Sequence, residues 1–269
     1  MGAIIDKITE FIKEMLQGWV LDNLSTIFTD VNDKVKTIAG EVGKTPSSWN
    51  SGIFSMIQSL SENVMVPIAG MIISAILCYE LITMVMDKNN MHEIGSEFFF
   101  RYLVKACIAV LFVSYTFDIT MAIFDVGNHI VTKAAGVITG NASIDVTATL
   151  QTMFNTQLST MGIGELIGLG IETMIVSLCM KIMSVLITVI LYGRMIEIYL
   201  YVSVAPVPFA TLSNREWGSI GSNYIKGLCA LAFQGFFIMV CVGIYSVLVS
   251  GVAVAGNLHS ALWSVAAYT

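Results

Sequence analysis

Apolar residues recur every three to four positions at the start of the chain, and charged residues occupy most positions between them. This spacing predicts a helix with one apolar face over residues 1–28. The face carries Phe11 and Trp19, which are candidates for anchoring the helix at the lipid headgroup level. Two alternatives stay open: the helix lies in the membrane interface or binds a partner, or it packs as a half-buried helix on its own chain.

A polar stretch follows from Asp30 to Asn50. Near its end, Thr45 and Pro46 predict the start of a helix, since Thr caps a helix and Pro suits the first turn. The pattern divides the chain into an amphipathic segment, 1–50, for interfacial or partner binding, and a polytopic transmembrane domain, 51–269.

Long apolar runs in the second part alternate with polar links, and each run can cross a hydrocarbon core of about 30 Å. Five spans are predicted, with four or six possible, at about 64–86, 102–124, 171–192, 195–212 and 228–250. Residues 125–164 are predicted to form a polar link. Pro206 and Pro208 interrupt the fourth span, and the backbone groups freed there must be buried in protein or line a wet cavity.

Composition supports this organisation. The chain has 269 residues, of which 56% are hydrophobic and 12% are charged, whereas about 25% are charged in soluble domains. We therefore expect an all-α integral membrane protein that crosses the cell membrane several times. The net charge of −6 excludes a long basic nucleic-acid-binding face, so contact with DNA is at most transient.

Orientation follows from the basic residues that flank the spans. Lys88, Arg101 and Lys105 favour a cytoplasmic link between the first two spans. With five spans, the N-terminus is then outside and the C-terminus inside. The five lysines of the N-terminal segment argue for the opposite orientation.

Charged residues within or close to the spans are the candidate functional residues, because each costs about 2.5–3.5 kcal/mol on insertion scales. They are Lys181, Glu172, Glu80, Asp118, Glu197 and Arg194. Lys181 lies ten residues into the third span and is expected to meet a carboxylate from a neighbouring helix or subunit. Glu172 cannot pair with it on one helix, since nine positions place the two about 180° apart. Arg194 and Glu197 can pair locally.

Glycines mark candidate close contacts between helices. They are Gly164, Gly168, Gly235, Gly243 and Gly251. Stripes of small residues let membrane helices pack closely, within one subunit or between subunits. Packing is therefore favoured over a gating role for these positions.

The sequence contains no HExxH, GxSxG or GxxxxGK[ST] motif. The five cysteines have no CxxC spacing and lie in apolar stretches, which predicts buried hydrophobic residues and not disulfides or metal ligands. We expect no enzymatic activity, no cofactor and no metal site.

Several segments of the chain resemble the TrbL-type conjugal transfer proteins, the polytopic inner-membrane subunits of type IV secretion systems. The similarity is to the compact forms on conjugative elements of Gram-positive bacteria. The segments are SLSENVMVP from Ser59, CYELITMVMDKNNMHEI from Cys78, FDITMAIFDVGNHIV from Phe117 and IEIYLYVSVAPVPFATLSNREWGSIGSNYIKGLCALAFQGFF from Ile196. The pattern APxPFAT…SN…IG…YIKG…QG in the last segment is the most specific.

The resemblance implies a ring-like homo-oligomer that serves as a channel or scaffold for the transfer of DNA and protein, with no chemistry of its own. Its implied partners are further copies of the chain, other membrane subunits of the secretion system, separate ATPases and membrane lipids. Two alternatives remain. Lys181, Glu172 and the proline break are compatible with an independent ion or solute channel, and the helix over residues 1–28 is compatible with an anchor that recruits partners.

Overall fold

A computed structural model describes residues 2–86, 96–141, 156–254 and 258–268. Within these ranges the chain forms helices joined by turns, which confirms the all-α prediction. The labelled helices are α1 (Gly2–Val42), α2 (Pro46–Trp49), α3 (Ser51–Leu60), α4 (Val66–Met86), α5 (Ser96–Ser114), α6 (Thr116–Asn141), α7 (Ile163–Val204), α8 (Pro206–Thr211), α9 (Gly218–Val254) and α10 (Leu258–Tyr268). A π-helical turn, Ser61–Met65, joins α3 to α4.

The chain divides into two compact units. The first unit contains Met1–Val42, Thr132–Leu191 and Phe237–Thr269, and the second contains Gly43–Val131 and Tyr192–Phe236. The units join segments that are distant in sequence, so they differ from the predicted division after residue 50. The predicted division separates an interfacial segment from a membrane-spanning domain. Contacts within the chain do not test this division, so it stays a prediction.

Helix α1 contributes one apolar seam to the core of the first unit. Its buried residues recur at intervals of three and four: Val20, Leu24, Ile27, Phe28, Val31, Val35, Ile38 and Val42. The part of this seam up to Val31 packs with Leu166, Leu169, Val176 and Met180 of α7 and with Val249 of α9. The seam explains why the helix continues to Val42, where the sequence predicted a polar connection from Asp30. The polar residues there occupy the exposed face of the same helix.

The second unit has an aromatic-rich core. Phe117 and Phe124 of α6 pack with Ile198 and Val202 of α7 and with Leu228 of α9. All of these residues lie in the parts of α6, α7 and α9 that belong to the second unit.

The predicted cap at Thr45 is confirmed. Its hydroxyl accepts a hydrogen bond from the Ser48 backbone N–H at 3.2 Å, and Pro46 occupies the first turn of α2. The Tyr199 hydroxyl donates to the Pro46 carbonyl at 2.6 Å. The start of α2 is thereby fixed to α7 inside the second unit.

Three helical stretches of the described chain are long and apolar enough to cross a membrane: Ser51–Met86, Ile163–Val204 and Gly218–Val249. A fourth candidate is a pair of helices, Phe99–Ser114 and Thr116–Ile138, that meet at a bend of 66°. The structure thus supports a multi-pass protein with three or four candidate spans. The count of five and the orientation stay predictions.

The predicted boundaries differ from the helices at three places. The third predicted span and residues 195–204 of the fourth lie on one helix, α7, because Gly193 and Arg194 lower the hydropathy there without interrupting the helical backbone. The rest of the fourth predicted span contains α8. The second predicted span, 102–124, contains the bend at Tyr115.

The third difference concerns the predicted polar link, 125–164. Its residues up to Asn141 continue α6, where Val131 is fully buried. An apolar seam on one side therefore sustains the helix although the segment is rich in polar residues. Residues 142–155 of this link lie outside the described part of the chain.

The cysteines are free thiols but are less buried than predicted. Four of them are exposed on the single chain and Cys229 is half-buried. They occupy outward faces of apolar helices, which are the faces that lipid or another subunit covers in a membrane protein.

Candidate functional site

Two charged residues bracket the most apolar part of α7. Glu172 and Arg194 are separated by a helical rise of about 33 Å, close to the ~30 Å thickness of a hydrocarbon core. Lys181 is the charged residue between them. If this stretch crosses the membrane, Lys181 lies at hydrocarbon depth, and the surroundings of its ammonium group become the main question about the site.

Lys181 lines a cavity of about 310 Å³ between α1 and α7 in the first unit. We call this cavity the polar cleft. Its polar side chains come from both helices: Asp30, Asp33, Lys34 and Thr37 from α1, and Lys181, Ser184 and Thr188 from α7. The expected carboxylates of a neighbouring helix are therefore present at the cavity. Lys181 itself is exposed and forms no ion pair with the described residues.

Lys34 closes one side of the polar cleft. Its ammonium group donates a hydrogen bond to the Met180 carbonyl, with an N–O distance of 2.6 Å. Burial lowers the pKa of Lys34 from its ordinary value, and the negative charge of Asp30 opposes this shift. The two aspartates and two lysines balance in formal charge. The cleft therefore carries no excess formal charge of its own.

Glu172 has a partner at the other end of the first unit. Its carboxylate lies 2.7 Å from Nδ1 of His259 on α10. Glu172 thus contacts a residue of another helix, in keeping with the expectation that it does not pair with Lys181 on one helix. The interaction carries a full ion pair when His259 is protonated.

Glu80 and Asp118 have contrasting surroundings in the second unit. Glu80 on α4 forms an ion pair with Lys105 on α5, and its carboxylate is largely covered. Asp118 is exposed in the first turn of α6, where a negative charge is favourable for the helix dipole. The structure thus gives both carboxylates a local stabilising role.

Arg194 and Glu197 do not form the expected local pair. Arg194 is 8% exposed, whereas Glu197 is exposed. Residues three positions apart differ by about 60° around the helix, and this difference directs one side chain inward and the other outward. The Arg194 Nε has no hydrogen-bond partner among the described residues.

The proline break lies between α7 and α8 and is buried in protein. Ala205 and Pro206 are both buried at this break. The Pro208 carbonyl accepts a hydrogen bond from the Thr211 hydroxyl at 2.7 Å, and the same hydroxyl accepts one from the Gly221 N–H at 3.0 Å. Backbone groups freed by such a break must be buried in protein or line a wet cavity. In this structure they are buried in protein.

The predicted packing glycines have different surroundings. Gly243 packs against Ile138, and Gly235 is buried. A Cβ on Gly164 or Gly168 would meet open space, so these two make no close helix contact within the described chain. Gly251 is in α9, but its surroundings lie outside the described part. A packing role for Gly164 and Gly168 between subunits stays a prediction.

Three further glycines make close contacts, and one of them, Gly170, belongs to the run Gly162, Gly164, Gly168 and Gly170 that the sequence shows around the start of α7. The positions are Gly127 against Ala232, Gly170 against Trp19 and Gly221 against Pro208. For Gly170 this run was the signal in the sequence, whereas Gly127 and Gly221 were not identified from the sequence. Gly221 lies in the segment SNREWGSIG that carries the family resemblance.

The two predicted anchors separate into different environments. Trp19 lies against Gly170 of α7, whereas Phe11 is 67% exposed. Ile4, Ile5, Ile8 and Met15 are exposed together with Phe11. Residues from Val20 onward pack on their own chain, as the second alternative expects. The first turns leave an apolar row uncovered, and an interfacial or partner-binding role for them stays a prediction.

One family model matches the chain, and it is described as TrbL/VirB6 plasmid conjugal transfer like protein. The match covers residues 31–206, from the middle of α1 to the proline break, and it includes most of the polar cleft. No curated protein and no solved structure matches the chain. Since the matched region is more than half of the 269 residues, the chain belongs to the TrbL/VirB6 family of plasmid conjugal transfer proteins.

Proposed function

We propose that the protein is a membrane subunit of a conjugative type IV secretion system, where it forms part of the channel or scaffold through which DNA and protein are transferred. Membership of the conjugal transfer family is the observation that carries this proposal. In this role the chain has no enzymatic activity and uses no cofactor. Separate ATPases supply the energy, and DNA contacts the chain only in passing.

Exposed apolar surface supports assembly with further copies of the chain. Large apolar side chains are exposed along most of α7: Ile171, Met174, Ile175, Leu178, Ile182, Val185, Leu186, Val189 and Ile190. Only 17% of the most apolar stretch of α7 is buried inside the single chain. In a membrane, lipid or neighbouring subunits cover such a surface. A ring-like homo-oligomer that also contacts other secretion subunits is the assembly that we propose.

The proposal is tested by transfer of a marked conjugative element from a donor that lacks this gene. We expect transfer to be lost and then restored by a complementing copy. Normal transfer from the clean deletion contradicts the proposal. A complementing copy that carries Val110→Thr, a change on an exposed position of α5, provides a matched control for expression and membrane insertion.

A second candidate function is an independent ion or solute channel. The polar cleft supports it, since charged residues of α1 line the same cavity as Lys181 of α7. In this case the purified protein gives conductance or uptake in liposomes, and Lys181→Ala alters it. Silent liposomes together with lost transfer in the deletion favour the secretion role.

A further inference from the structure

The second unit contains an apolar cavity of about 510 Å³ along α5. Side chains at intervals of four on one face of α5 line it, among them Val104, Ile108 and Phe112. Phe209 of α8 and Leu212 line the opposite side. The volume is within the usual range for small-molecule sites, about 300–1,000 Å³.

Positive charge is concentrated at one end of this cavity. Arg101 and Lys105 line it there, one turn apart on α5. Lys105 is neutralised by its ion pair with Glu80. Arg101 is exposed and forms no hydrogen bond or ion pair with the described residues. Within the described chain, the Arg101 guanidinium group therefore has no partner at the end of this apolar cavity.

Aromatic residues place this end near the membrane surface. Tyr79 stacks on Trp217 with ring centroids 5.7 Å apart, and its hydroxyl donates to Glu216 at 3.3 Å. Tyr102, next to Arg101, donates its hydroxyl hydrogen to the Leu77 carbonyl at 2.9 Å. Tyr and Trp are enriched at the level of lipid headgroups.

The other end of the cavity lies beside purely apolar packing. Ala109 lines the cavity and also packs with Ile73 of α4 and Ala210 of α8. From Phe100 to Phe112 the cavity extends about 18 Å along the helix. It is therefore long and apolar, with a cationic entrance at the headgroup level.

From this geometry we propose that the cavity binds an anionic phospholipid of the surrounding membrane. The phosphate group accepts hydrogen bonds from Arg101, which has a planar donor geometry suited to phosphate, and an acyl chain occupies the space along Val104, Ile108 and Phe112. A zwitterionic headgroup brings its own cation to Arg101, so an anionic headgroup is preferred. The site is independent of the role of the protein in DNA transfer.

The charge requirement is tested by native mass spectrometry of the full-length protein in detergent, titrated with phosphatidylglycerol and phosphatidylcholine of identical acyl chains. We expect wild-type protein to retain phosphatidylglycerol about tenfold better, and Arg101→Gln to lose this preference. Arg215→Gln is the control, because Arg215 is exposed and does not line the cavity. Equal binding of the two lipids by wild-type protein, or an equal effect of the two substitutions, overturns the proposal.

The acyl-chain requirement is tested separately by filling the cavity. Ile108→Trp is expected to reduce retention of both lipids, whereas Val110→Trp leaves it unchanged. Both residues are on α5 with similar exposure, 49% and 47%, but only Ile108 lines the cavity. If the two variants retain lipid equally well, binding involves the headgroup alone and the proposed site is wrong. The elution volume in size-exclusion chromatography verifies that each variant is folded.

Discussion

The indole ring of Trp19 lies so close to the Cα of Gly170 that no Cβ fits between them. This contact joins α1 to α7 just before the buried seam of α1 begins at Val20. Glycine is required here for close approach and not for an unusual backbone conformation, since the described glycines have no positive φ. The pair sets the distance between the two helices at one end of the core of the first unit.

Gly170→Ala is expected to destabilise the protein by about 1–3 kcal/mol, because the added methyl group overlaps Trp19 and forces the helices apart. Gly168→Ala is the matched control, since a Cβ at that position meets open space. Thermal unfolding of the two variants in detergent measures the difference. Equal melting temperatures for the two contradict the Trp19–Gly170 contact.

Lys34→Met is expected to cost about 1.5–3 kcal/mol, the usual value for a hydrogen bond with a charged donor. The substitution keeps an apolar side chain but removes the hydrogen bond to Met180 and leaves Asp30 without its neighbouring cation. Lys36→Met tests for a general effect of charge, because Lys36 is exposed on the same helix. Denaturation in mixed micelles compares the variants, and a similar loss in both would show that the position in the polar cleft is not decisive.

Thr211→Val is expected to destabilise the proline break by about 1–3 kcal/mol. Valine has nearly the same shape but leaves the buried Gly221 N–H without its acceptor. Thr188→Val serves as the control, since the Thr188 hydroxyl is exposed and donates only within its own helix turn. Limited proteolysis between α8 and α9 detects local opening. Unchanged cleavage of Thr211→Val relative to wild type would show that the hydroxyl does not hold the break.

The contact between Glu172 and His259 predicts that α7 and α10 cross-link. In a background without native cysteines, Glu172→Cys combined with His259→Cys is expected to react with a short bismaleimide in intact membranes, because the two side chains meet at 2.7 Å. Glu165→Cys combined with His259→Cys is the comparison, since Glu165 bonds instead to the Gly162 N–H. Cross-linking is read as a shift on a denaturing gel, and equal yields for the two pairs contradict the placement of α10.

Local signals in the sequence were sufficient for the elements that depend on neighbouring residues. Thr45 and Pro46 start α2 as predicted, because capping involves residues within one turn. The end of α1 was missed although its seam at Val31, Val35, Ile38 and Val42 keeps the helical spacing. The polar residues between these positions favoured a connection instead of a helix.

Contacts between distant segments were beyond the reach of the sequence pattern. The glycine run around the start of α7 indicated close packing, but periodicity alone does not show that Gly170 faces another helix while Gly168 faces open space. The sequence singled out Lys181 as a charged residue in an apolar segment. Its neighbours Asp30 and Asp33 lie in a stretch that the sequence assigned to a polar connection, so the polar cleft was not predicted.

The core of the first unit also has a consequence for biosynthesis. Helix α1 leaves the ribosome long before its partners, since 146 residues separate Lys34 from Met180. At about 5–20 residues per second, this interval is roughly 7–30 s, and Val249, a further core residue, follows later still. During that time the valine and isoleucine seam of α1 has no protein surface to cover it. Nascent chains that stop before α7 are therefore expected to be substrates for quality-control proteases, even though α4 is already long enough to enter the membrane.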